Sequence, residues 1–219
     1  MEEFFPLLMN SPLFEGLNKG ELGEVLACLG ARAARYSKGE TILCEGDPAE
    51  CIGVVLSGAV QVFRMDYFGN RSLMGRLEEG DLFAEAFACA GVSAMPVSVV
   101  ALEETEALLI RAESILRSCS SACAFHQRMI FNLMRILALK NLACNQKIEV
   151  TSKRTTREKL MTYLMMEAKQ AETSTFAIPF DRQELADYLE VDRSGLSAEI
   201  SKLRREGVLK CERSRFTLL

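Results

Sequence analysis

The chain has 219 residues, of which 49% are hydrophobic and 26% charged, so it can bury one large core or two modest ones. No apolar run approaches the roughly 18 residues that span a bilayer, and the acidic N-terminus lacks the basic region of a signal peptide. These features predict a cytoplasmic protein without a membrane segment.

The net charge of −4 gives no general sign of nucleic-acid binding. However, residues 150–219 carry 13 Lys and Arg against 11 Asp and Glu, whereas residues 1–149 carry 13 against 19. This asymmetry predicts a basic surface near the C-terminus.

The eight cysteines and the single histidine, His126, restrict the kinds of catalytic or metal site that the chain can form. The cysteines are scattered without a CxxC pair, which in an unexported chain favours reduced thiols. One histidine excludes a zinc site with two His ligands. The sequence also contains no nucleophile elbow and no phosphate-binding P-loop, so we do not expect an enzyme.

The first 112 residues predict a sensor domain built mainly from antiparallel strands. Residues 1–30 have the pattern of short helices. From about residue 36 to 111, short β-branched segments alternate with glycines, which is typical of a β jelly roll. Gly69-Asn70 indicates a hairpin turn. The predicted fold class is therefore α+β, with an N-terminal antiparallel β jelly-roll sensor domain over residues 1–112.

Residues 113–150 predict a long helix, because residues 113–148 contain neither Gly nor Pro. A 4-3-4-3-4 spacing of mostly apolar residues forms a heptad seam suited to a parallel helix pair between two protomers. The seam residues are Ile130, Met134, Leu137, Asn141, Cys144 and Ile148. A second apolar stripe consists of Phe125, Met129, Leu133 and Ile136. Packing of the seam on the chain's own barrel is the alternative interpretation.

A break at residues 150–152 precedes a capping box at residues 155–158, so we predict a C-terminal domain over residues 151–219. Residues 181–206 have the spacing of two short helices joined by a tight turn, with Asp181 as the first N-cap. Residues 207–219 follow as a β-hairpin wing. The predicted DNA-binding residues are Arg182, Gln183, Arg193, Ser194, Ser197, Lys202, Arg213 and Arg215. The alternative for residues 181–206 is an ordinary helical hairpin with a solvated charged face.

Nearly the whole chain resembles the CRP/FNR family of bacterial transcription regulators. LFEGL at 13–17, YSKGETILCEGD at 36–47, LSGAVQVF at 56–63 and EEGDLFAE at 78–85 resemble the family's cyclic-nucleotide-binding-like barrel. Residues 113–150 resemble its dimerisation helix, and residues 182–209 its winged helix-turn-helix. The resemblance implies a homodimer that binds double-stranded DNA at a near-palindromic operator. It also implies an activator that contacts RNA polymerase and is controlled by a signal in the barrel.

The effector is predicted to differ from cAMP. The family's cAMP-binding members carry a Gly-Glu pair and an Arg-Ser pair that face the ligand. The matching positions here, together with the helix positions that touch adenine, are Ala84, Glu85, Met95, Pro96, Cys144 and Asn145. Without the arginine a cyclic phosphate lacks its counter-charge, which costs several kcal/mol. These six positions outline the predicted effector pocket, whose apolar wall fits a hydrophobic or aromatic molecule. Glu85 as a purely structural carboxylate, and the lack of any effector, remain alternatives.

Other cofactors of the family fit the sequence poorly or only as alternatives. The iron–sulfur branch uses several N-terminal cysteines, whereas the first 40 residues here contain only Cys28, so we expect no such cluster. Haem remains an alternative, with His126 and the barrel cysteines Cys44, Cys51 and Cys89 as the candidate axial ligands. Cys119 and Cys123 lie one helical turn apart, which leaves a redox or metal pair open beside buried thiols.

The recognition helix also departs from the best-known members. Their acidic and arginine base-reading residues match Ser194 and Ala198 here, whereas the preceding arginine is kept at Arg193. We therefore expect part of the specificity to come from DNA deformability. The loss of these base-reading residues leaves one alternative function, a small-molecule sensor module that acts through a protein partner.

Overall fold

The computed structural model describes residues 1–65, 67, 71–116 and 124–219. The chain divides into two compact units, Met1–Ala138 and Leu139–Leu219. Within the described residues, no helix is both long enough and apolar enough to cross a membrane.

The first unit opens with short helices, as the sequence predicts. Single 3₁₀ turns at Glu2–Phe4 and Pro12–Phe14 flank α1, Phe5–Asn10, and α2 covers Lys19–Cys28. The side chain of Asn18 accepts hydrogen bonds from the first turn of α2, and the Glu21 carboxylate accepts one from the Asn18 N–H at 2.8 Å. This capping box fixes where α2 begins.

Two four-stranded antiparallel sheets follow, which confirms the predicted jelly-roll barrel. One sheet has the order β1-β8-β3-β6 and the other β2-β7-β4-β5. The strands are β1 Arg32–Tyr36, β2 Thr41–Leu43, β3 Cys51–Ser57, β4 Val60–Met65, β5 Arg71–Leu77, β6 Leu82–Phe83, β7 Ser98–Ala101 and β8 Thr105–Arg111; α3, Glu85–Ala90, lies between β6 and β7. The sheet region begins at Arg32, earlier than the sequence indicated. The predicted Gly69-Asn70 turn lies outside the described residues, although β4 and β5 pair antiparallel on either side of it.

Each face of the β1-containing sheet is buried in a different apolar cluster. The inner cluster joins both sheets through Val55, Val60, Phe83, Val99 and Ala107. Ile52, Val54, Leu108 and Ile110 belong instead to a cluster with the N-terminal helices. This alternation follows from the two-residue period of a strand.

The predicted helix over residues 113–150 corresponds to α4, Ala112–Leu116, and α5, Ala124–Thr151, with residues 117–123 outside the description. Cys119 and Cys123 lie outside the described residues. Met129, Leu133 and Ile136 are buried in the outer cluster of the first unit, and Phe125 packs against it. The second stripe thus packs against the core of the first unit.

After the end of α5, the second unit contains α6, α7 and α8 and a three-stranded antiparallel sheet in the order β10-β11-β9. Its elements are α6 Thr156–Gln170, β9 Thr175–Ala177, α7 Arg182–Leu189, α8 Arg193–Arg205, β10 Leu209–Glu212 and β11 Arg215–Leu218. The predicted capping box at the start of α6 is present: Thr155 Oγ1 accepts from the Glu158 N–H, and Glu158 accepts from the Thr155 N–H. The core includes Leu160, Leu164, Leu185, Leu196 and Phe216.

One exposed position in this unit carries backbone strain that a substitution should relieve. Glu172, just after α6, has φ of 52°, a left-handed conformation that disfavours residues with a Cβ. We expect Glu172→Gly to raise the free energy of unfolding of this unit by about 1 kcal/mol, measured by urea unfolding. Glu172→Ala is the control, since it removes the carboxylate but keeps the Cβ. Equal stability of the two variants would contradict the strain explanation.

Candidate DNA interface, dimer surface and sensor pocket

The two helices of the predicted helix-turn-helix are each fixed by an aspartate at the N-terminus. Asp181 accepts hydrogen bonds from the backbone N–H groups of Gln183 and Glu184, which confirms it as the cap of α7. Helix α7 ends at Leu189, and the next residue, Glu190, has φ of 53° and ψ of 54°, which reverse the chain. Asp192 then caps α8 by accepting from the Gly195 N–H at 2.7 Å. Two helices separated by so short a turn match the geometry of a DNA-reading pair.

Helix α8 has one buried and one exposed face. Leu196, Ile200 and Leu203 are buried in the core of the second unit. The exposed residues are Arg193, Ser194, Gly195, Ser197, Ala198, Ser201, Lys202, Arg204 and Arg205. At 100° per residue, Ser194, Ala198, Ser201 and Arg205 lie along the middle of the exposed face. Sequence reasoning missed Ser201 and Arg205, although their i+7 and i+11 spacing from Ser194 was available as a signal.

Two basic residues of α6 hold this helix pair in place. Lys159 Nζ donates to the carbonyl oxygens of Leu189, at 3.1 Å, and Glu190, at 3.3 Å, which are free acceptors at the end of α7. Arg157 lies 2.7 Å from a carboxylate oxygen of Glu206 and 3.6 Å from one of Glu199, both on the α8 side. These contacts of α6 fix the positions of α7 and α8, and with them the position of the exposed face of α8.

The predicted wing is confirmed as the β10–β11 hairpin, with Arg213 and Ser214 at its tip. Arg213 and Arg215 are exposed, as a contact to flanking phosphates requires. Arg182 is placed differently from a free DNA contact. Its guanidinium donates to Cys211 Sγ and to the carbonyl oxygen of Arg213, both at 3.4 Å, and lies 5.8 Å from the centre of the Phe216 ring. Arg182 therefore ties α7 to the wing.

The cap of α8 predicts a specific pH dependence. The pKa of Asp192 is lowered, first by the hydrogen bond from Ser194 Oγ and then by the Gly195 N–H. Ionised Asp192 thus stabilises the folded state above the unfolded pKa of about 3.8, and this stabilisation is lost as the pH falls through the lower folded value. We expect Asp192→Asn to lose less stability than wild type on acidification below about pH 4. Urea unfolding at a series of pH values measures this, with exposed Glu212→Gln as control. An unchanged acid profile for Asp192→Asn would argue against the cap.

The predicted dimer seam on α5 is exposed at some positions and partly covered at others. Met134 is 58% exposed and Ile148 63% exposed, whereas Ile130 and Leu137 pack partly against the first unit's core. Phe131 is 61% exposed and was missed by sequence reasoning. The spacing of Phe131, Met134, Ala138, Asn141, Asn145 and Ile148 is 3-4-3-4-3, which is again a heptad pattern on one helix face.

The barrel positions of the predicted effector pocket are mostly filled by the protein itself. Ala84 packs against the small cluster that contains Met95, which is 2% exposed. The Phe83 ring lies directly over Gly53, so that a Cβ there would come within 1.9 Å of it. Glu85 is also buried. Pro96 is half-buried. The structure thus brings Ala84 and Met95 together, with apolar side chains around them.

The helix positions assigned to the effector pocket, Cys144 and Asn145, are exposed on α5 in the second unit, and their place in a pocket remains a prediction. His126, the residue that left haem open, is 4% exposed, and its Nε2 donates to the Ser114 carbonyl oxygen at 2.9 Å. Among the residues that the structure describes, no group of three or more His, Cys, Asp or Glu side chains is placed to hold a metal ion.

Comparison with known proteins matches two parts of the chain to domain families. Residues 33–122 match the model of the cyclic nucleotide-binding domain, and residues 158–219 match that of the Crp-like helix-turn-helix domain. The chain belongs to the CRP/FNR family of transcription regulators. This CRP/FNR regulator therefore binds DNA through the helix-turn-helix of its second unit.

Full-length relatives support the family assignment. The cyclic AMP receptor protein of Thermus thermophilus is 27% identical over 93% of this chain and 90% of its own length. The transcriptional activator protein FnrA of Stutzerimonas stutzeri is 25% identical over 83% of this chain and 74% of its own length. The crystal structure of the Thermus thermophilus catabolite activator protein superposes with a TM-score of 0.57, at 25% identity and 95% and 94% coverage. These relatives are regulators, which favours DNA binding over the protein-partner alternative for this CRP/FNR chain.

Proposed function

We propose that this CRP/FNR regulator binds a near-palindromic operator as a homodimer, with one α8 in each of two successive major grooves. The observation that carries the proposal is the exposed, basic face of α8 beside an exposed basic wing. Pairing along the stripe that includes Phe131, Met134 and Ile148 would bury side chains that are each more than half exposed in one chain. A two-fold dimer of this kind requires half-sites about 34 Å apart.

The residues of this interface have separate roles in the proposal. Arg193, at the N-terminal end of α8, reads a guanine edge or holds a phosphate, and Ser194 and Ser197 hydrogen-bond to bases or phosphate. Lys202 and Arg215 neutralise phosphates. Arg205, which is exposed on the same helix, and Arg213, at the wing tip, have the same role.

Substitutions on α8 and the wing distinguish residues that recognise bases from residues that only neutralise phosphates. We expect Arg193→Ala to weaken operator binding by about 1–3 kcal/mol and to relax the preference at one base pair. Lys202→Ala and Arg215→Ala should each lower the affinity for all duplexes. Each should also reduce the slope of the logarithm of the binding constant against the logarithm of salt concentration by about 1, because one phosphate contact is lost. Fluorescence anisotropy at several salt concentrations measures both effects. Unchanged affinity and specificity in Arg193→Ala would contradict the docking.

We propose further that the regulatory signal is not cAMP. Met95 and Pro96 stand where a cyclic phosphate needs an arginine and a hydroxyl, and Met95 is packed into a small apolar cluster. Calorimetric titration with cAMP should give no binding at millimolar ligand, and binding in the micromolar range would overturn this part. Native mass spectrometry and an absorption spectrum of the purified protein would test for another bound molecule, haem included.

The output that we propose is activation through contact with RNA polymerase, by analogy with the activator FnrA. In vitro transcription from a template that contains the operator tests it directly. Transcripts should increase when the dimer is added. A decrease would instead assign the protein as a repressor.

A further inference from the structure

A cavity of about 800 Å³ lies in the first unit, beside the edge strand β1. Its walls come from the end of α2, from β1, from β8 and from α4. Much of the lining is apolar, including Ala27, Leu29, Ala34 and Leu109. The volume is in the range of small-molecule sites, about 300–1,000 Å³.

The charge of this cavity is opposite to that of the region around it. Arg32 and Arg111 both line it, and no Asp or Glu is among its described lining residues. Residues 1–149 as a whole carry 13 Lys and Arg against 19 Asp and Glu. The Glu50 carboxylate, outside the lining, offsets part of the charge of Arg111, so Arg32 supplies the larger part of the positive charge of the cavity, which favours an anionic ligand.

Strand pairing explains why the two arginines lie on one wall. Arg32 pairs with Leu109 across β1 and β8, and Arg111 lies two residues further along β8, so the three side chains share a face of the sheet. Arg111 also donates to Glu50 at 2.6 Å, which orients its guanidinium while leaving other N–H groups free to bind a ligand. Arg32 is exposed. A carboxylate or sulfonate between them would gain charge-assisted hydrogen bonds.

We propose that this cavity binds an amphipathic organic anion, with its acidic group on Arg32 and Arg111 and its apolar body against the Ala and Leu walls, and that this is an effector site of the regulator. The effector part rests on the proposed operator binding. The site differs from the predicted pocket around Ala84 and Met95, neither of which lines this cavity.

The structure supplies a direct contact from this cavity to the dimerisation helix. Ser114 of α4 lines the cavity, and its carbonyl oxygen accepts the hydrogen bond from His126 Nε2 of α5. His126 is buried, so a displacement of α4 by a ligand is transmitted to α5 through a packed contact. A ligand that binds one arrangement of α4 and α5 more tightly would shift the population towards it.

Two cysteines of the cavity report its occupancy. Cys28 is exposed and Cys51 half-buried, and both line the cavity, whereas exposed Cys44 does not. Full-length protein is alkylated with iodoacetamide in the presence of 8-anilinonaphthalene-1-sulfonate, an aromatic anion, and each cysteine is followed by peptide mass spectrometry. We expect saturable protection of Cys28 and Cys51 and an unchanged rate at Cys44. Equal effects on Cys28 and Cys44 would overturn the site.

Charge variants test whether the arginines hold the anion. The concentration dependence of Cys28 protection gives an apparent Kd for the probe. Arg32→Gln and Arg111→Gln should raise this Kd about tenfold or more, as loss of a hydrogen bond to a charged group predicts. Arg35→Gln, which removes an exposed arginine of the same strand outside the cavity, should leave it unchanged. A Kd unchanged in both cavity variants would contradict the proposal.

A second readout separates this proposal from the operator-binding function. Operator affinity is measured by anisotropy with and without saturating probe. The probe should change the affinity of wild type about fivefold or more, a coupling in the usual allosteric range. At the same probe concentration the change for Arg32→Gln should be clearly smaller, because its site is only partly occupied. Protection of Cys28 without any change in affinity would refute the effector role. Failure of the probe-free protein to bind any duplex would instead refute the operator-binding function, while Cys28 protection would still report the cavity.

Discussion

Replacing both Phe131 and Met134 with glutamate should convert the protein into a folded monomer that binds operator DNA about 100-fold more weakly or worse. The two side chains are 61% and 58% exposed in one chain, so their replacement costs the monomer little. In the proposed dimer, four glutamates would face each other across a desolvated seam. Because one half-site then has to be bound without the other, the gain from linked binding is lost.

Analytical ultracentrifugation and operator titration measure the two consequences of this change. Leu139→Glu is the matched control, since Leu139 is 56% exposed but lies about 120° around α5 from the centre of the stripe that contains Phe131 and Met134. The control should remain dimeric with wild-type affinity. A dimeric Phe131→Glu/Met134→Glu variant would show that the protomers pair elsewhere.

Placing a carboxylate on the centre of the recognition helix should be nearly as damaging. Ala198 is exposed in the middle of the α8 face, between Ser194 and Ser201. Ala198→Glu sets a negative charge against the phosphates and acceptor-rich base edges of the major groove, and such like-charge contacts cost several kcal/mol. We expect operator affinity to fall about 100-fold, with the dimer and its thermal stability unchanged.

The control for Ala198→Glu changes the net charge equally at a distant point of the same unit. Ser174 is exposed and its carbonyl oxygen accepts from the Leu218 N–H, at the end of the sheet away from the wing tip. Ser174→Glu should lower affinity only slightly, through the long-range field. Similar losses in both variants would mean that α8 does not enter the groove.

Local signals were enough to predict most elements of the second unit. The aspartate at 181 and the Thr155–Glu158 pair are capping residues that act within one helical turn, so their sequence context determines the structure. Strand β1 was missed because its sequence, Arg-Ala-Ala-Arg-Tyr, has little β preference. Its conformation is fixed by pairing with β8, about 70 residues away in sequence, and such tertiary contacts override propensity.

The candidate sites depended more strongly on contacts that no local pattern contains. The heptad spacing located the exposed side of α5 but did not distinguish Phe131 from Ile130, since only packing against the barrel covers the latter. In the sequence Arg182 is simply a basic residue near the start of α7. Its contacts with Cys211 and Phe216 of the wing depend on tertiary structure. The packing of Phe83 over Gly53 likewise joins two strands that are distant in sequence.

Selection of bound duplexes from a random DNA library tests the central claim most directly. If the protein reads DNA as a two-fold dimer through α8, the enriched sequences will contain two inverted half-sites centred about 10 base pairs apart. Ala198→Glu protein, selected in parallel, will enrich none. Enrichment of no sequence by the wild type, or of the same inverted repeat by Ala198→Glu, would contradict the account.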